Sequence, residues 1–582
     1  MDWLLIFLGL LTRFLLIGVP GFKGDIAFWK ECGLGMVDKG IIWLVNNTNF
    51  NYPPGFAYVL GLINKIYGLF LNPHNFGQYW LDTNYLYLFL IKSITIIADL
   101  GIFFLIIKIS KKLDFKWGKL LAFFYFFNVV VFYDGVIWGQ NDQFALFFLI
   151  TSLYLLIIDR PNFATVTFTI GCLMKFQNII FLPIFFLYVY KKYSFQGLFK
   201  TIGYSLLVFA IFTVPFWWNR EMASLVKLFT MNSNWYPWYS VNAFNIWWIF
   251  SGLKGMAISD KTLFLGVINA KEFGLLMFSF FYFITCLRLF LSKKEDLLIN
   301  LVLALCLAVL AFFHLLTQSH ERYLFPLLGL ILVLFIVRKE KNLGFPLLLF
   351  LVFSLGILIN MYLTVFIYYP DQVYWPFSKM TTQSITLYIS WFQIGLFLIF
   401  FFKYYFLWLK KYWFYVFTAL LIFTGIIFYK NINYLLGKPV PLTELDSISY
   451  RQDYLSPMKN MTVESAREVF SWNRLSVNYF FYKSGIGSHA DSEINYRLEG
   501  RFSRLITDYG IDTEGASVAK AYFLIYGDGR ELFRSKVKGQ FDNPETTSVS
   551  LKGIDLLTLK IIKAEKTNYG VHADWLDPVL IK

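Results

Sequence analysis

Long apolar runs alternate with short polar turns over the first 430 residues of the chain. An apolar helix of roughly 17–25 residues crosses a bilayer, so these runs predict about thirteen membrane-spanning helices. The first run has no small-residue cleavage site, which predicts a retained helix and not a removable signal. The runs lie near residues 3–19, 84–107, 118–136, 143–158, 163–176, 178–190, 201–217, 262–289, 297–316, 323–337, 344–366, 385–402 and 413–429. The pair at 163–190 is also compatible with one kinked element.

The pattern changes after residue 430. Short runs of alternating apolar and polar residues appear there with Gly or Asp between them, as in "FSRLITDYG" and "AYFLIYGDG". Such spacing is typical of a β-sandwich. The sequence therefore predicts two domains: a helical membrane domain over 1–430, with a large first outer loop at 20–83, and an all-β domain over 431–582.

Basic residues predict the orientation of the membrane domain. Short loops rich in Lys and Arg stay in the cytoplasm, and here they alternate with a second set of loops that carry fewer basic residues. The amino terminus is thus predicted to be cytoplasmic, and the 431–582 domain extracellular. The basic loops are 108–119, 159–161, 191–200, 288–295, 338–342 and 403–411, and the outward ones are 139–142, 175–177, 317–323 and 368–379.

Composition supports a multi-pass membrane protein. The chain has 582 residues, of which 57% are hydrophobic and 15% charged. The formal net charge of +15 is largely explained by the cytoplasmic loops, so nucleic acid is not an expected partner, whereas membrane lipids are. The sequence has no phosphate-binding GxxxxGK[ST] loop, no HExxH motif and no spaced Cys/His set for zinc.

Every unusual polar cluster falls on the predicted outer side. A charged residue costs roughly 2.5–3.5 kcal/mol at the bilayer centre and less near its surface. Several such residues at one membrane depth therefore suggest one shared polar cavity. The clusters are Asp25, "NYPPG" at 51–55, "YDGVIWGQND" at 133–142, "KFQ" at 175–177 and "SHERY" at 319–323.

Two interpretations of Asp25 are open. It follows Gly24 ahead of a helical pattern, so it suits a helix N-cap. A carboxylate at the edge of the bilayer also suits a general base that takes a proton from an attacking sugar hydroxyl.

His320, Glu321 and Arg322 also allow two interpretations. Arg322 can extend to water with Glu321 as its partner. Alternatively, Arg322 and His320 face an anionic group such as a lipid phosphate, which a guanidinium can bind with two parallel hydrogen bonds. Lys175 then adds a further positive charge, or is an ordinary loop lysine, and Glu321 contacts the substrate.

The turn that contains Trp138 is equally ambiguous. It is either a polar connection in which Asp142 caps the next helix, or a substrate-binding turn. In the second case Trp138 stacks on a sugar or a prenyl chain, and Gln140, Asn141 and Asp142 bind hydroxyl groups.

The order of these motifs resembles the bacterial GT-C membrane glycosyltransferases, in the branch similar to the GPI-anchor mannosyltransferases. The resemblance covers roughly residues 1–430 and implies a polyprenyl-phosphate-linked sugar as donor, with inverting transfer on the outer face. By position it implies Asp25 as base and Arg322 with His320 on the donor phosphate. Many GT-C enzymes carry a paired acidic motif, whereas Asp25 stands alone with Glu31 six residues on. A divalent metal, Mg²⁺ or Mn²⁺, is thus an open possibility.

The tail resembles the NPCBM-type carbohydrate-binding module over about residues 442–581. The shared marks are "GIGSHADS", the "YGDG" turn and the closing "HADW". The resemblance implies a jelly-roll β-sandwich that binds glycans, and a Ca²⁺ ion in the sandwich is left open. Within these motifs His489, Asp574 and Trp575 are the candidate sugar contacts, although Trp575 also suits a core position and His489 a structural one.

The sequence as a whole predicts a hexosyltransferase whose acceptor is a cell-surface glycan, glycolipid or teichoic acid. The alternative is a glycan or lipid transporter or flippase. A transporter predicts charges in the middle of spans and internal repeats, whereas the charges here are expected at one face. A receptor that merely displays the module needs only one span.

Overall fold

The structure, a computed structural model, describes the whole chain except Met1 and residues 232–235, 261–262, 265–267, 370–383, 438 and 465–473. Most of the predicted outward loop 368–379 therefore lies outside the described residues. The chain divides into two compact units. The first comprises Met1–Tyr236, Ser240–Leu253 and Met277–Val416, and the second comprises Pro237–Tyr239, Lys254–Leu276 and Phe417–Lys582.

The first unit is helical. Proline lies in the first turn of several helices, where its missing N–H costs no hydrogen bond. The helices of the described chain are α1 Asp2–Leu16, α2 Lys23–Asp38, α3 Gly40–Asn47, α4 Pro54–Gly68, α5 Phe76–Tyr79, α6 Tyr85–Lys112, α7 Gly118–Phe126, α8 Val129–Phe132, α9 Asp142–Ile157, α10 Pro161–Met174, α11 Leu182–Trp218, α12 Met222–Met231, α13 Ile246–Phe250, α14 Ala270–Phe290, α15 Leu297–Leu315, α16 Pro326–Val337, α17 Gly344–Tyr368, α18 Ser384–Lys411 and α19 Trp413–Gly437.

The predicted number of about thirteen spans is not confirmed. Among the described residues, six helical segments are long and apolar enough to cross a membrane, or seven if the bent pair Gly118–Phe126 and Val129–Trp138 is one span. Predicted spans 178–190 and 201–217 fall in one helical run that is interrupted at Ser194. Several others form helices shorter than 18 residues, such as α9 and α16.

Two helices form the centre of the first unit. Almost every residue of α15 and α16 is buried. A helix that is apolar all round lies inside a protein or a membrane. The "SHERY" turn joins these two helices, so its charged residues are placed next to the core and are largely withdrawn from solvent.

One buried ion pair joins α1 to the middle of α6. Arg13 Nε donates to Asp99 Oδ2 at 3.2 Å, and both side chains are fully buried. The guanidinium also donates to the Phe126 carbonyl, and the Tyr125 hydroxyl donates to Asp99. The expectation that the charges lie at one face is therefore wrong for this pair. The free-energy cost of burying the two charges is offset by their mutual attraction and by the hydrogen bonds that each makes within the bundle.

The carboxyl-terminal part of the second unit is a β-sandwich, as predicted. One sheet has the order β14-β10-β16-β8-β5 with β3 on β16, and the other has the order β12-β11-β15-β9-β4 with β13 on β11. The strands of the described chain are β1 Leu263–Phe264, β2 Ile268–Asn269, β3 Val440–Pro441, β4 Ser449–Gln452, β5 Met458–Lys459, β6 Ser476–Val477, β7 Phe480–Phe481, β8 Gly485–His489, β9 Ser492–Arg497, β10 Arg504–Ile511, β11 Lys520–Gly527, β12 Arg530–Arg534, β13 Lys538–Gly539, β14 Glu545–Ser550, β15 Leu556–Lys563 and β16 His572–Ile581.

Segments from the helical half of the sequence belong to this second unit. The Ser259 N–H donates to the Phe481 carbonyl at 3.0 Å, and the Trp238 indole donates to the Tyr479 carbonyl at 2.9 Å. The predicted division after residue 430 does not anticipate these contacts. Hydrogen bonds between residues so far apart along the chain leave no periodic signal in the sequence.

Candidate functional site

A wide helical turn brings two of the predicted motifs together. The residues after α8, Tyr133–Trp138, form a π-helical turn that ends at Gly139 with φ +89°. The Phe22 N–H donates to the Trp138 carbonyl at 2.9 Å. Gly21 has φ +78°, and a Cβ there would lie 2.6 Å from that same carbonyl oxygen. Glycine is therefore required at position 21 for α2 to begin against the turn.

Asp25 lies in the first turn of α2 and is not its N-cap. The N-cap is Phe22, without a side-chain capping bond, so the capping interpretation of Asp25 is wrong. Its carboxylate instead accepts a hydrogen bond from the Gln140 amide. Burial raises the pKa of Asp25, while Arg322, Trp138, Gln140 and Lys175 oppose that rise. A carboxylate with a raised pKa is a better proton acceptor.

Four charged side chains from three distant turns meet beside Asp25. Lys175 forms an ion pair with Asp142, and Arg322 Nε lies 3.7 Å from the other Asp142 oxygen. Arg322 also donates to Glu321. Both predicted phosphate-binding cations are thus already paired with carboxylates. Asp142 lies between them and does not act as a helix cap, since α9 has no side-chain capping bond.

Backbone interactions hold the turns in place. Lys175 is extended between α10 and a 3₁₀ turn, Phe176–Phe181. The Gln177 amide donates to the Tyr323 carbonyl at 2.7 Å, which joins the "KFQ" and "SHERY" motifs. A Cβ at Gly55, in the "NYPPG" motif, would lie 2.5 Å from the Leu173 carbonyl. This close backbone contact explains why glycine occupies position 55.

His320 contributes ring packing and not a charge. Its ring packs on Tyr236 and Tyr323, with centroids 5.1 and 4.9 Å apart. Its Nδ1 lies 3.9 Å from Glu321. Burial lowers the pKa of His320 well below its usual value, and Arg322 and Lys175 lower it further. The imidazole is therefore neutral at pH 7.

Trp138 does not have the role predicted for it. Its side chain is buried, with 4% of the residue exposed. One face stacks on Phe22 at 5.5 Å, and Tyr133 lies edge-on at 6.0 Å. Because the indole is packed within the turn, it offers no open face for a sugar, and it instead helps to hold the turn against α2.

Asp134 is a site residue to which the sequence analysis assigned no role. It is fully buried on the π-helical turn, and neither carboxylate oxygen has a hydrogen-bond partner among the described residues. Asp142 and Lys175 are near enough to interact with it electrostatically. The "YDG" letters contain this residue, but a π-helical turn has no recognisable sequence pattern.

The described residues contain no group of three or more His, Cys, Asp or Glu side chains arranged to hold a metal. The predicted Mg²⁺, Mn²⁺ and Ca²⁺ sites thus remain predictions.

In the β-sandwich, two of the three candidate sugar contacts are inside the core. Trp575 is 0% exposed and packs edge-on against Phe523 with centroids 5.3 Å apart. The prediction that it stacks on a sugar is therefore wrong. Asp574 is also buried, next to Asp512, and burial raises the pKa of Asp574 well above its usual value. His489 is buried too, at the end of β8 beside the Tyr454 and His572 rings.

Comparison with known proteins identifies the tail. Residues 438–581 match the NPCBM/NEW2 domain family, as the sequence predicts. A segment of 94 residues is 31% identical to an endo-alpha-N-acetylgalactosaminidase of Renibacterium salmoninarum. That segment covers 16% of this chain and only 6% of the relative.

Two solved structures are also similar. The CBM51 module of a Clostridium perfringens GH95 protein, in complex with methyl-galactose, is 26% identical, with a TM-score of 0.22 over 24% of this chain and 99% of that one. The arabinosyltransferase EmbB of Mycobacterium smegmatis is 11% identical, with a TM-score of 0.31 over 96% of this chain and 64% of that one. TM-scores of this size establish no shared fold, and no function is inferred from them.

Proposed function

We propose that the chain is an integral-membrane, inverting glycosyltransferase that takes a hexose from a polyprenyl-phosphate-linked donor. The observation that carries this proposal is the arrangement of Asp25: a carboxylate with a raised pKa, held by Gln140, beside the cations Arg322 and Lys175. A base next to a cationic site suits a reaction in which a hydroxyl attacks and a phosphate leaves.

In the proposed reaction, Asp25 accepts the proton of an acceptor hydroxyl. The oxygen forms a bond to the anomeric carbon as the bond from that carbon to the donor phosphate oxygen breaks. The leaving phosphate retains that electron pair, and Arg322 and Lys175 offset its charge. Glu321 and Asp142 hold the two cations when no donor is bound, and His320 donates a neutral hydrogen bond.

The acceptor is proposed to be a cell-surface glycan, glycolipid or teichoic acid on the outer face of the membrane. The match of residues 438–581 to the NPCBM/NEW2 family supports glycan binding by the tail. A bound glycan chain would then stay close to the transferase, which raises its effective concentration there.

The test uses the purified full chain with an undecaprenyl-phosphate hexose and a glycan acceptor, and measures release of undecaprenyl phosphate. Asp25→Asn keeps the side-chain shape but removes the base, so we expect turnover to fall by a factor on the order of 10²–10⁴. The matched control is Asp38→Asn, at the other end of α2, which should retain activity. Equal turnover of parent and Asp25→Asn would refute the assignment of the base.

One observation favours the alternative of glycan or lipid transport, namely the Arg13–Asp99 pair within the spans. Intramembrane charges often mark transport pathways. Here, however, Arg13 is also held by the Phe126 carbonyl and by the Phe126 and Phe132 rings, at 4.1 Å from each centroid. Such a closed set of contacts suits anchoring of α1. Movement of a labelled lipid-linked sugar from one leaflet of a vesicle membrane to the other, without release of its phosphate, would favour transport.

A further inference from the structure

The "NYPPG" loop brings Tyr52 to the helix that carries the proposed base. The centroid of the Tyr52 ring lies 6.5 Å from that of Phe28 and 6.3 Å from that of Trp29. Phe28 and Trp29 follow Asp25 by three and four residues on α2. Side chains at this spacing share one face of a helix. Tyr52 therefore packs against the face of α2 that carries Asp25.

The end of the loop is fixed near a cation of the site. Pro53 is extended, with φ −62° and ψ 158°, and Pro54 opens α4, so the proline rings restrict the backbone that follows Tyr52. Gly55 is in close contact with the Leu173 carbonyl, two residues before Lys175. The loop is thus packed against α2 and against the segment that leads into Lys175.

Aromatic contacts fix the orientation of the Tyr52 side chain. Its ring also packs on Phe56 at 4.8 Å and on Phe50 at 6.2 Å. Close packing with several rings leaves a side chain few rotamers. The hydroxyl is near enough to Asp25 and to Arg322 to interact electrostatically with both. The ring is therefore enclosed by the protein, whereas the hydroxyl faces the charged site.

The Tyr52 hydroxyl has a proton available for a hydrogen bond. Among the described residues it donates to no acceptor. Burial raises the pKa of Tyr52, and the neighbouring Asp25 raises it further, whereas Arg322 opposes the rise. A tyrosine with a raised pKa stays protonated at pH 7. Tyr52 thus offers the site a neutral hydrogen-bond donor.

We propose that the Tyr52 hydroxyl donates a hydrogen bond to the phosphate of the polyprenyl-linked donor, beside Arg322. This inference rests on the class of donor named in the proposed function. Both cations of the site are already paired with carboxylates, so part of their positive charge is compensated. A neutral hydroxyl adds a bond to the phosphate without burying a further charge, and a hydrogen bond to an anion is stronger than one between neutral groups.

The same bond contributes to turnover. As the bond between the anomeric carbon and the phosphate oxygen breaks, the phosphate gains negative charge and Tyr52 keeps its proton. A donor that is already in place stabilises such a developing charge. Tyr52→Phe is therefore expected to lower the rate of phosphate release as well as the affinity for the lipid phosphate.

The experiment compares the binding of two lipids to the purified full chain in detergent by calorimetry. Undecaprenyl phosphate carries the phosphate, and undecaprenol has the same prenyl chain without it. Tyr52→Phe removes only the hydroxyl, so it should weaken undecaprenyl phosphate at least tenfold and leave undecaprenol unchanged. A role in packing alone would change the affinity for both lipids equally, and thermal unfolding checks that the variant retains its fold.

The matched control is Tyr58→Phe. Tyr58 lies on α4, and its hydroxyl donates to the Phe212 carbonyl at 3.0 Å, so this variant should bind both lipids like the parent. Four outcomes overturn the proposal: the parent does not prefer undecaprenyl phosphate to undecaprenol, Tyr52→Phe binds the phosphate like the parent, Tyr52→Phe weakens both lipids alike, or Tyr58→Phe loses as much.

A parallel measurement separates this proposal from the transferase. Release of undecaprenyl phosphate from its hexose derivative is followed with the parent chain and Tyr52→Phe. Binding that depends on Tyr52 in a chain that releases no phosphate would refute the transferase and support the phosphate contact. Release by the parent that Tyr52→Phe leaves unchanged would support the transferase and overturn the role of Tyr52.

Discussion

Asp142 is the residue on which the charge balance of the helical site depends. It pairs with Lys175 and approaches Arg322, and it is almost completely buried. Removing one member of a buried ion pair leaves an uncompensated charge, at a cost of about 3–5 kcal/mol. Asp142 therefore stabilises the site when no donor is bound.

We predict that Asp142→Asn destabilises the protein by about 3 kcal/mol, because Lys175 and Arg322 then repel each other inside the bundle. Thermal unfolding of the purified chain in detergent measures this. The control is Asp159→Asn, whose partner Lys192 lies 3.1 Å away in an exposed pair worth about 0–1 kcal/mol. Equal losses in both variants would contradict the role of Asp142.

Gln140 affects the pH dependence of the proposed base. Its hydrogen bond lowers the pKa of Asp25 and so partly offsets the effect of burial. Activity that requires ionised Asp25 rises with pH through this pKa. Gln140→Leu should raise the pKa, so the acid limb of the pH–rate profile should move to higher pH while the high-pH rate is retained.

Gln177→Leu is the matched control for this shift. The Gln177 amide donates to the Tyr323 carbonyl and not to Asp25. The acid limb of the pH–rate profile of Gln177→Leu should therefore coincide with that of the parent. A shift toward lower pH in Gln140→Leu would show that the amide does not stabilise the carboxylate.

At the scale of elements, the junction between α2 and the π-helical turn places Asp25 beside Gln140. Its geometry depends on Gly21, because both the φ of +78° and the contact with the Trp138 carbonyl exclude a Cβ. The "GFKGD" letters contain this glycine, but nothing in them reveals the partner carbonyl more than a hundred residues away.

We predict that Gly21→Ala lowers both stability and turnover. Gly40→Ala is the control, since Gly40 has φ +84° with no atom within 4 Å of its added Cβ. Both variants pay the conformational cost of about 1–2 kcal/mol, and only Gly21→Ala also displaces the turn. Thermal melting curves and phosphate release compare the stability and turnover of the two variants. Equal values for Gly21→Ala and Gly40→Ala would mean that the junction is unimportant.

Several elements were predictable because their signals are local. Apolar runs predicted most of the helices, and period-two alternation predicted strands such as β10 and β11. The π-helical turn and the burial of Trp138 were not predictable. Each of them depends on a packing partner that is distant along the chain, and local propensity does not include such partners.

At the scale of the whole molecule, the second unit is not built from the tail alone. Ser259 and Trp238 bond to the Phe481 and Tyr479 carbonyls. A module attached only by a linker would have no such contacts with earlier segments. The strands of the β-sandwich and the segment before α14 are therefore expected to protect one another from solvent.

We predict that truncation after residue 437 exposes the amides of residues 238–239 and 254–260. Hydrogen–deuterium exchange by mass spectrometry should show faster exchange in peptides that cover them. Peptides from α15 and α16, whose residues are buried in the first unit, are the internal control and should exchange as in the full chain. Unchanged exchange before α14 would mean that the module is merely tethered.

The sequence alone determined the class of each half and the residues of interest. Long apolar runs require a lipid or protein interior, alternation requires a two-faced sheet, and buried charge requires a partner. Only the tertiary structure decided which partners those are: Gln140 for Asp25, Asp142 between two cations, and a protein core for Trp138 and Trp575. The physical reason is that hydrophobicity acts residue by residue, whereas ion pairs and ring contacts depend on distances that only the folded chain establishes.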